Sequence, residues 1–493
     1  MPLFLYSGNV HLVVADETYG AFAAVTGLAA VLVAVAYLQT RNAAKTVALA
    51  CGVLAWLYWS SAFVRGLGLV LDASTATAVG LTLWTAGAAA YVVLVLRARP
   101  RHQLVRVWVI VSLTILALPV FMFTRFLLFH RGHSPRTIPA AVDLKAPGQP
   151  PDIYYVIFDR YAGQETLRHT YGFDNSEIIA YLRGRGFYVA DRSHANYLRT
   201  GPSLASSLNF EHLPDLYAGM QAVSDWRPIY DLLQEHRVWR SLRPLGYEFV
   251  NIGSWWQPTR HNPHATENHA FAPLPAFFHT TYEATTLYAM GITFKGRMDP
   301  RRVQWQQVPQ QVEAIARAGR RERPRFVFAH LLLPHDPYVF GPDGRFLPEE
   351  VVAQRTLAEN YLNQVRFANA VITRLVDVLL ATPPRRQPVI IIQADEGPFP
   401  KRDDPAAVMR LASDWRKASP DDLRQKFGIL NALYVPGAPA GAFYPAMTPV
   451  NTFRIVLNAH FGAQLPMLPD VSFAASSDTT PFDFFEVTTV LAR

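Results

Sequence analysis

The sequence predicts an α-helical transmembrane bundle followed by an α/β domain built on a doubly wound, mostly parallel sheet. Three observations carry that prediction. Apolar residues concentrate in the first 130 of 493 positions, in four stretches long enough to cross a bilayer. Beyond them, short β-prone runs alternate with helical stretches, the order expected of a sheet covered by helices on both faces. The first of those runs, 153–158, is continuously apolar, as a strand buried on both faces is.

The four spans are expected at about 21–39, 46–64, 76–96 and 107–129. Two are rich in Ala and Gly, as helices that approach closely in a membrane often are. Arg41 and Lys45 join the first pair, and Arg97, Arg99, Arg101 and Arg106 join the last pair, whereas Leu71-Asp72-Ala73-Ser74 carries no positive charge. The positive-inside rule puts the two basic loops in the cytoplasm. Both ends of the bundle, and everything after Phe129, then lie outside the cytoplasm of a bacterial cell as a multi-pass membrane protein. Pro2-Leu3-Phe4-Leu5-Tyr6 reads as the tail of an apolar segment without the charged region of a signal peptide. It predicts that the reading frame begins upstream, with a fifth span.

Residues 131–151 form a linker, in which Pro135, Pro139, Pro147, Pro150 and Pro151 favour a stiff, extended chain. The rest, residues 152–493, is roughly 340 residues, ample for a large core. A single cysteine, Cys51, excludes an internal disulfide framework and a Cys-based zinc site. The net charge of +8 is spread along the chain with no basic stripe interleaved with aromatics, so no nucleic-acid partner is expected.

In chain order, strands are expected at 153–158, 248–252, 326–331, 389–393 and 429–435, with helices at about 176–183 and 350–380. In a doubly wound sheet, ligands bind beyond the carboxyl ends of the strands. There the sequence places Asp159, His335, Asp395 and Glu396. Thr200 precedes Pro202 and a run of helix formers. Pro suits the first helical turn, where free N–H groups favour an anion. Thr200 thus reads in two ways, as an N-cap or as a hydroxyl nucleophile whose product anion the helix stabilises. Asp159, Thr200, Asp395 and Glu396 together would make an oxygen-rich site for a divalent cation, which would activate the hydroxyl.

These residues carry a resemblance. Asp159 after a first apolar strand, Thr200 before a helix, a later His335-Asp336-Pro337 segment and the Asp395-Glu396-Gly397 turn resemble the alkaline phosphatase and sulfatase superfamily. With spans and a Pro-rich linker in front, the architecture is similar to that of membrane-anchored lipoteichoic acid synthases and lipid phosphoethanolamine transferases. The stretches Gly253-Ser254-Trp255-Trp256, Lys426-Phe427-Gly428-Ile429-Leu430-Asn431-Ala432 and Pro449-Val450-Asn451-Thr452-Phe453-Arg454 also look like those of a sulfatase-domain subfamily. The resemblance implies an alkaline phosphatase-like fold from about Asp152 to Leu491. It implies Asp159 and Asp395 as metal ligands, Thr200 as the phosphorylated nucleophile, and His335 beside the substrate phosphate as proton donor or ligand. Trp255, Trp256 and Arg260 fall where the synthases hold a glycerol phosphate head; Arg suits phosphate bidentately, and the Trp pair serves equally as packing. His330 reads as a sheet histidine or a substrate contact.

Two departures bear on chemistry. The superfamily's Asp-His-Gly is Asp395-Glu396-Gly397 here, and a carboxylate in place of imidazole favours Mn2+ or Mg2+, with Ca2+ or Zn2+ the alternatives. Formylglycine sulfatases need Cys or Ser, then x-Pro-x-Arg; Thr200-Gly201-Pro202-Ser203-Leu204 has neither the oxidisable residue nor the Arg. The expected activity is metal-dependent phosphotransfer or phosphodiester cleavage on a membrane lipid or lipid-linked phosphate, with an envelope polymer as acceptor. The alternatives are a non-catalytic envelope-binding protein and a simple phosphoester or sulfoester hydrolase.

Overall fold

A computed structural model describes residues 1–99, 102–131, 138–272, 274–292, 299–319, 321–381, 387–400, 410–411 and 413–492. The chain divides into two compact units, one of residues 1–131 with 274–300 and one of residues 132–273 with 301–493. Residues 274–300 lie inside the stretch expected to be globular, yet they group with the apolar helices.

The first unit holds helices α1 (Pro2–Asn9), α2 (Ala15–Thr40), α3 (Ala43–Leu67), α4 (Ala73–Arg97) and α5 (His102–Phe129). The last four are long and apolar enough to cross a membrane, and each extends beyond the span expected for it. The starts of α3 and α4 are set locally: Asn42 accepts the Lys45 N–H at 3.1 Å and Asp72 the Thr75 N–H at 3.0 Å, each satisfying a free amide of the first turn.

The second unit is built on a seven-stranded sheet: β1 (Ile153–Phe158), β2 (Tyr188–Val189), β3 (Glu248–Ile252), β4 (Glu267–His269), β5 (Arg325–Leu331), β6 (Val389–Gln393) and β7 (Asn431–Tyr434). Their order is β2-β7-β6-β1-β5-β3-β4. From β6 to β4 all neighbours are parallel; β7 runs antiparallel to β6 and to β2. β1, β5 and β6 are buried along their whole lengths, which is why their sequences are mostly apolar, broken only by Arg325 and His330 in β5 and by Gln393 at the end of β6. A two-stranded hairpin, β8 (Phe473–Ser477) and β9 (Thr480–Glu486), lies outside this sheet.

Helices α6 (Gln164–Tyr171), α7 (Ser176–Gly184) and α8 (Thr200–Asn209) follow β1. Helices α9 (Ala276–Glu283) and α10 (Thr286–Ala289) belong to the first unit; α11 (Pro300–Ala318), α12 (Leu357–Leu380) and α13 (Pro420–Phe427) complete the frame around the site. The helix expected over 350–380 is two: a short turn at Glu349–Ala353 and then α12, because Thr356 and Glu359 form a reciprocal capping box that starts a new helix. Of the linker, residues 132–137 lie outside the described residues. From 138 to 150 it has no regular structure and is fastened to the second unit, where Val142 N–H donates to Ser241 Oγ at 2.9 Å and Arg240 to the Pro139 carbonyl at 2.7 Å.

Candidate active site

The site forms where three neighbouring parallel strands end. Ile157 of β1 is paired with His330 of β5 and with Gln393 of β6, so Asp159, His330 and Asp395 reach one edge of the sheet. All three are buried, and each offers one ligand atom, the three atoms lying within 4.8 Å of one another. His330 Nε2 is 3.1 Å from Asp159 Oδ2, while its Nδ1 faces the Thr259 hydroxyl at 2.8 Å. Asp159 Oδ1 and Asp395 Oδ2 are buried without a hydrogen-bond partner. A cation would satisfy both, since leaving a buried carboxylate oxygen bare is costly.

The electrostatics agree with that fit. Burial, together with the charges of Asp159 and Glu396, pushes the Asp395 carboxyl well above the usual carboxylate range. Burial acts on Asp159 in the same direction, but His335, His330 and Arg160 outweigh it and bring its pKa down to about 2. Two adjacent buried carboxyls are thus shifted in opposite directions, and a divalent cation held by them would favour the charged form of both.

Thr200 is the first residue of α8, and Arg199 occupies the N-cap position without a side-chain cap bond. The reading of Thr200 as a cap therefore falls. Its hydroxyl instead stands beside the Asp395 carboxyl, where it favours the charged form. The next turn is tied to the same residue, since the Ser203 hydroxyl donates to the Asp395 carbonyl at 2.5 Å.

Glu396, expected as a metal ligand, has one oxygen paired with cations and the other, Oε2, buried without a hydrogen-bond partner. Its Oε1 accepts from Lys426 Nζ at 2.7 Å and from Arg160 Nε at 3.0 Å, and it stands outside the group of three ligands. The reason is charge: Lys426 is fully buried, and an unpaired ammonium there would be prohibitive, so the carboxylate turns to it. The turn that carries this pair needs Gly397, because a Cβ there would meet the Gln425 carbonyl oxygen at 2.4 Å.

The remaining expected residues divide. His335 has its Nδ1 beside Asp336, and its charge bears on Asp159. Trp256 packs edge-on against the His330 ring, with centroids 5.9 Å apart. Trp255 is drawn aside, its indole N–H donating to Gln304 Oε1 at 2.7 Å. Arg260 donates to the Ala272 carbonyl at 3.3 Å.

Sequence reasoning missed three cations. Arg160, Arg199 and Lys426 stand 4.6, 4.9 and 4.4 Å from the Phe399 ring centroid. Arg160 and Arg199 are also paired, with Asp336 and Asp478. Arg160 has a φ of 63°, in the left-handed region that a non-glycine residue seldom adopts. Its place directly after Asp159, and that of Arg199 directly before Thr200, were the signals available. Lys426 could be found only through the fold, since α13 brings it from far along the chain.

No family model and no curated protein matches the chain. Among solved structures, it is similar to the C-terminal periplasmic domain of EcEptC from Escherichia coli, at 12% identity over 72% of this chain and 97% of that one, with a TM-score of 0.46. The same domain in complex with Zn is similar at 13% identity over 70% and 91%, with a TM-score of 0.40. The integral membrane protein lipooligosaccharide phosphoethanolamine transferase A (EptA) from Neisseria meningitidis is similar at 11% identity over 87% and 79%, with a TM-score of 0.40.

Proposed function

We propose that this protein is a membrane-anchored phosphotransferase that takes a phospho-group from a lipid or lipid-linked phosphate onto Thr200 and passes it to an envelope acceptor. The observation that supports it is the Thr200 hydroxyl, at the first turn of α8 and beside Asp395, next to a buried donor set with two bare carboxylate oxygens. Asp159, His330 and Asp395, with Thr200 Oγ, would hold one divalent cation, which when bound lowers the pKa of the hydroxyl and offsets charge on the phosphate. With His330 in the set in place of Glu396, the donors are mixed nitrogen and oxygen, a combination open to Zn2+ as well as Mn2+.

Thr200 Oγ passes its proton to the Asp395 carboxylate beside it and forms a bond to phosphorus while the bond from phosphorus to the departing oxygen breaks, and His335 gives a proton to that oxygen. The free amides at the start of α8 hold the phosphate oxygens. An acceptor hydroxyl then displaces Thr200; with water in its place, the same steps amount to hydrolysis. Trp256 holds the His330 ring, and Arg160 stays fixed by Glu396 and Asp336.

Full-length protein incubated with phospholipid and Mn2+ or Zn2+ should yield a Thr200 peptide carrying a phospho-group, seen by mass spectrometry. Thr200→Ala should lose that product while its melting temperature stays within a few degrees. No modification with any phospholipid or diester, from protein that has bound its metal, would sink the proposal. The buried Lys426–Glu396 pair favours a second reading, a non-catalytic binder of an envelope polymer; it predicts metal uptake without phosphorylated Thr200.

A further inference from the structure

The segment 274–292 leaves the second unit and joins the apolar helices, and its packing gives it a depth. Phe277 stands edge-on to Tyr6, which in turn lies 5.8 Å from Phe123 of α5. Phe278 reaches Gly20 of α2. At 1.5 Å per residue, Gly20 and Phe123 are each about 8–9 Å along their helices from the ends at Ala15 and Phe129. Helix α10 goes deeper. The Thr286 hydroxyl, fully buried, donates to the main-chain carbonyls of Trp56 and Leu57, the latter at 3.2 Å. Those carbonyls are about 15 Å from the Leu67 end of α3. Helix α3, at 25 residues, is about 37 Å long against a hydrocarbon layer of about 30 Å, so each end overhangs by a few ångströms. Thr286 then sits roughly 12 Å inside the hydrocarbon.

The segment is built as such a depth requires. Backbone groups in hydrocarbon must be satisfied internally. The Thr285 hydroxyl caps α10 by accepting the Tyr288 N–H at 3.3 Å, and the Thr281 hydroxyl donates to the Phe277 carbonyl at 2.8 Å. The Tyr282 hydroxyl donates to the Ile292 carbonyl where α10 has ended. At the far end of the segment the exposed residues are Ala289, Met290, Gly291 and Ile292, with Met290 47% and Ile292 40% exposed, while on α9 Thr280 and Glu283 are exposed. Exposed apolar side chains also occur toward the same ends of α2, α3 and α5, at Tyr19, Phe63 and Phe121.

We infer that residues 276–292 form a re-entrant segment in the leaflet at the Leu67 end of α3, with Met290 and Ile292 in contact with lipid acyl chains. On the positive-inside orientation this is the outer leaflet. The inference is independent of the proposed chemistry, because it rests on the packing of α9 and α10 alone.

The test uses full-length protein in phosphatidylcholine vesicles, with Cys51→Ser removing the single cysteine. A bimane probe is placed in turn at Met290→Cys and Ile292→Cys, at Leu118→Cys in α5, and at Arg317→Cys, whose side chain is 77% exposed. Nitroxide-labelled lipid should quench the probes at 290 and 292 about as strongly as at 118, while aqueous iodide should quench them less than half as well as at 317. Iodide quenching at half the 317 level or more would overturn the inference. So would protection from both quenchers, which would mean that protein, not lipid, covers this face.

Discussion

Glu396 decides how the charges of the site are balanced. Its Oε1 is paired with Lys426 and Arg160, while Asp159 and Asp395 belong with His330 to the group whose atoms could hold a cation. Breaking a buried pair by removing one partner costs about 3–5 kcal/mol, whereas replacing both with apolar groups is often near neutral. Glu396→Gln should therefore lower unfolding free energy by several kcal/mol, and Glu396→Gln with Lys426→Met should recover most of it, as read by denaturant unfolding. If the single variant is as stable as the parent, the pair does not hold the turn. His236 offers a separate test. Buried and close to Arg240 and His264, it has a pKa brought down to about 3 from 6.5. The unfolded chain binds that proton first, so the stability it confers is whole above pH 6.5 and lost as pH falls toward 3. His236 also accepts the Trp239 N–H at 3.1 Å. His236→Asn keeps that acceptor and should flatten the fall in melting temperature between pH 6.5 and 4. An unchanged slope would show that other groups govern it. The residues legible from sequence were those at strand ends or before a helix: Asp159, Thr200 and Asp395. His330 was expected as a sheet histidine or a substrate contact, because only the sheet register shows which acid it meets.

At the scale of elements, the long buried strands were legible because burial on both faces leaves mostly apolar residues to read. β1 and β6 are found where expected, and β3 likewise. The short edge strands β2 and β4 bury too little to leave a pattern. β8 and β9 were hidden by Pro481, which ordinarily argues against a strand. The missed break before α12 did have a signal, Thr356 three residues ahead of Glu359. Thr356→Ala should cost about 1 kcal/mol. Hydrogen exchange should locate the change in the first turn of α12, with the preceding turn at Glu349–Ala353 unaffected. Uniform exchange along α12 in the parent and the variant would show that packing alone sets its start.

For the whole molecule, hydropathy sets residues 1–130 apart as a bundle but gives no sign that residues 274–300 group with the apolar helices. Phe277, Thr286 and Tyr282 read as ordinary globular residues, and only their packing shows what they cover. That has a consequence for any soluble fragment. In a chain starting at residue 138, α9 and α10 lose the helices against which Phe277, Tyr282 and Thr286 are buried, and that apolar surface meets water. Exposed apolar patches of this kind drive association. The fragment 138–493 should bind detergent or aggregate on size-exclusion chromatography. The same fragment with residues 276–292 replaced by a flexible Gly/Ser linker should elute as a monomer, with the sheet and the site intact. The replacement removes no side chain from the group of Asp159, Thr200, His330 and Asp395, so a metal-dependent rise in melting temperature should survive it, at about 2.7 kcal/mol of stabilisation for metal at 100 times its dissociation constant. A 138–493 fragment that is already monomeric without detergent would show that α9 and α10 find cover within the second unit.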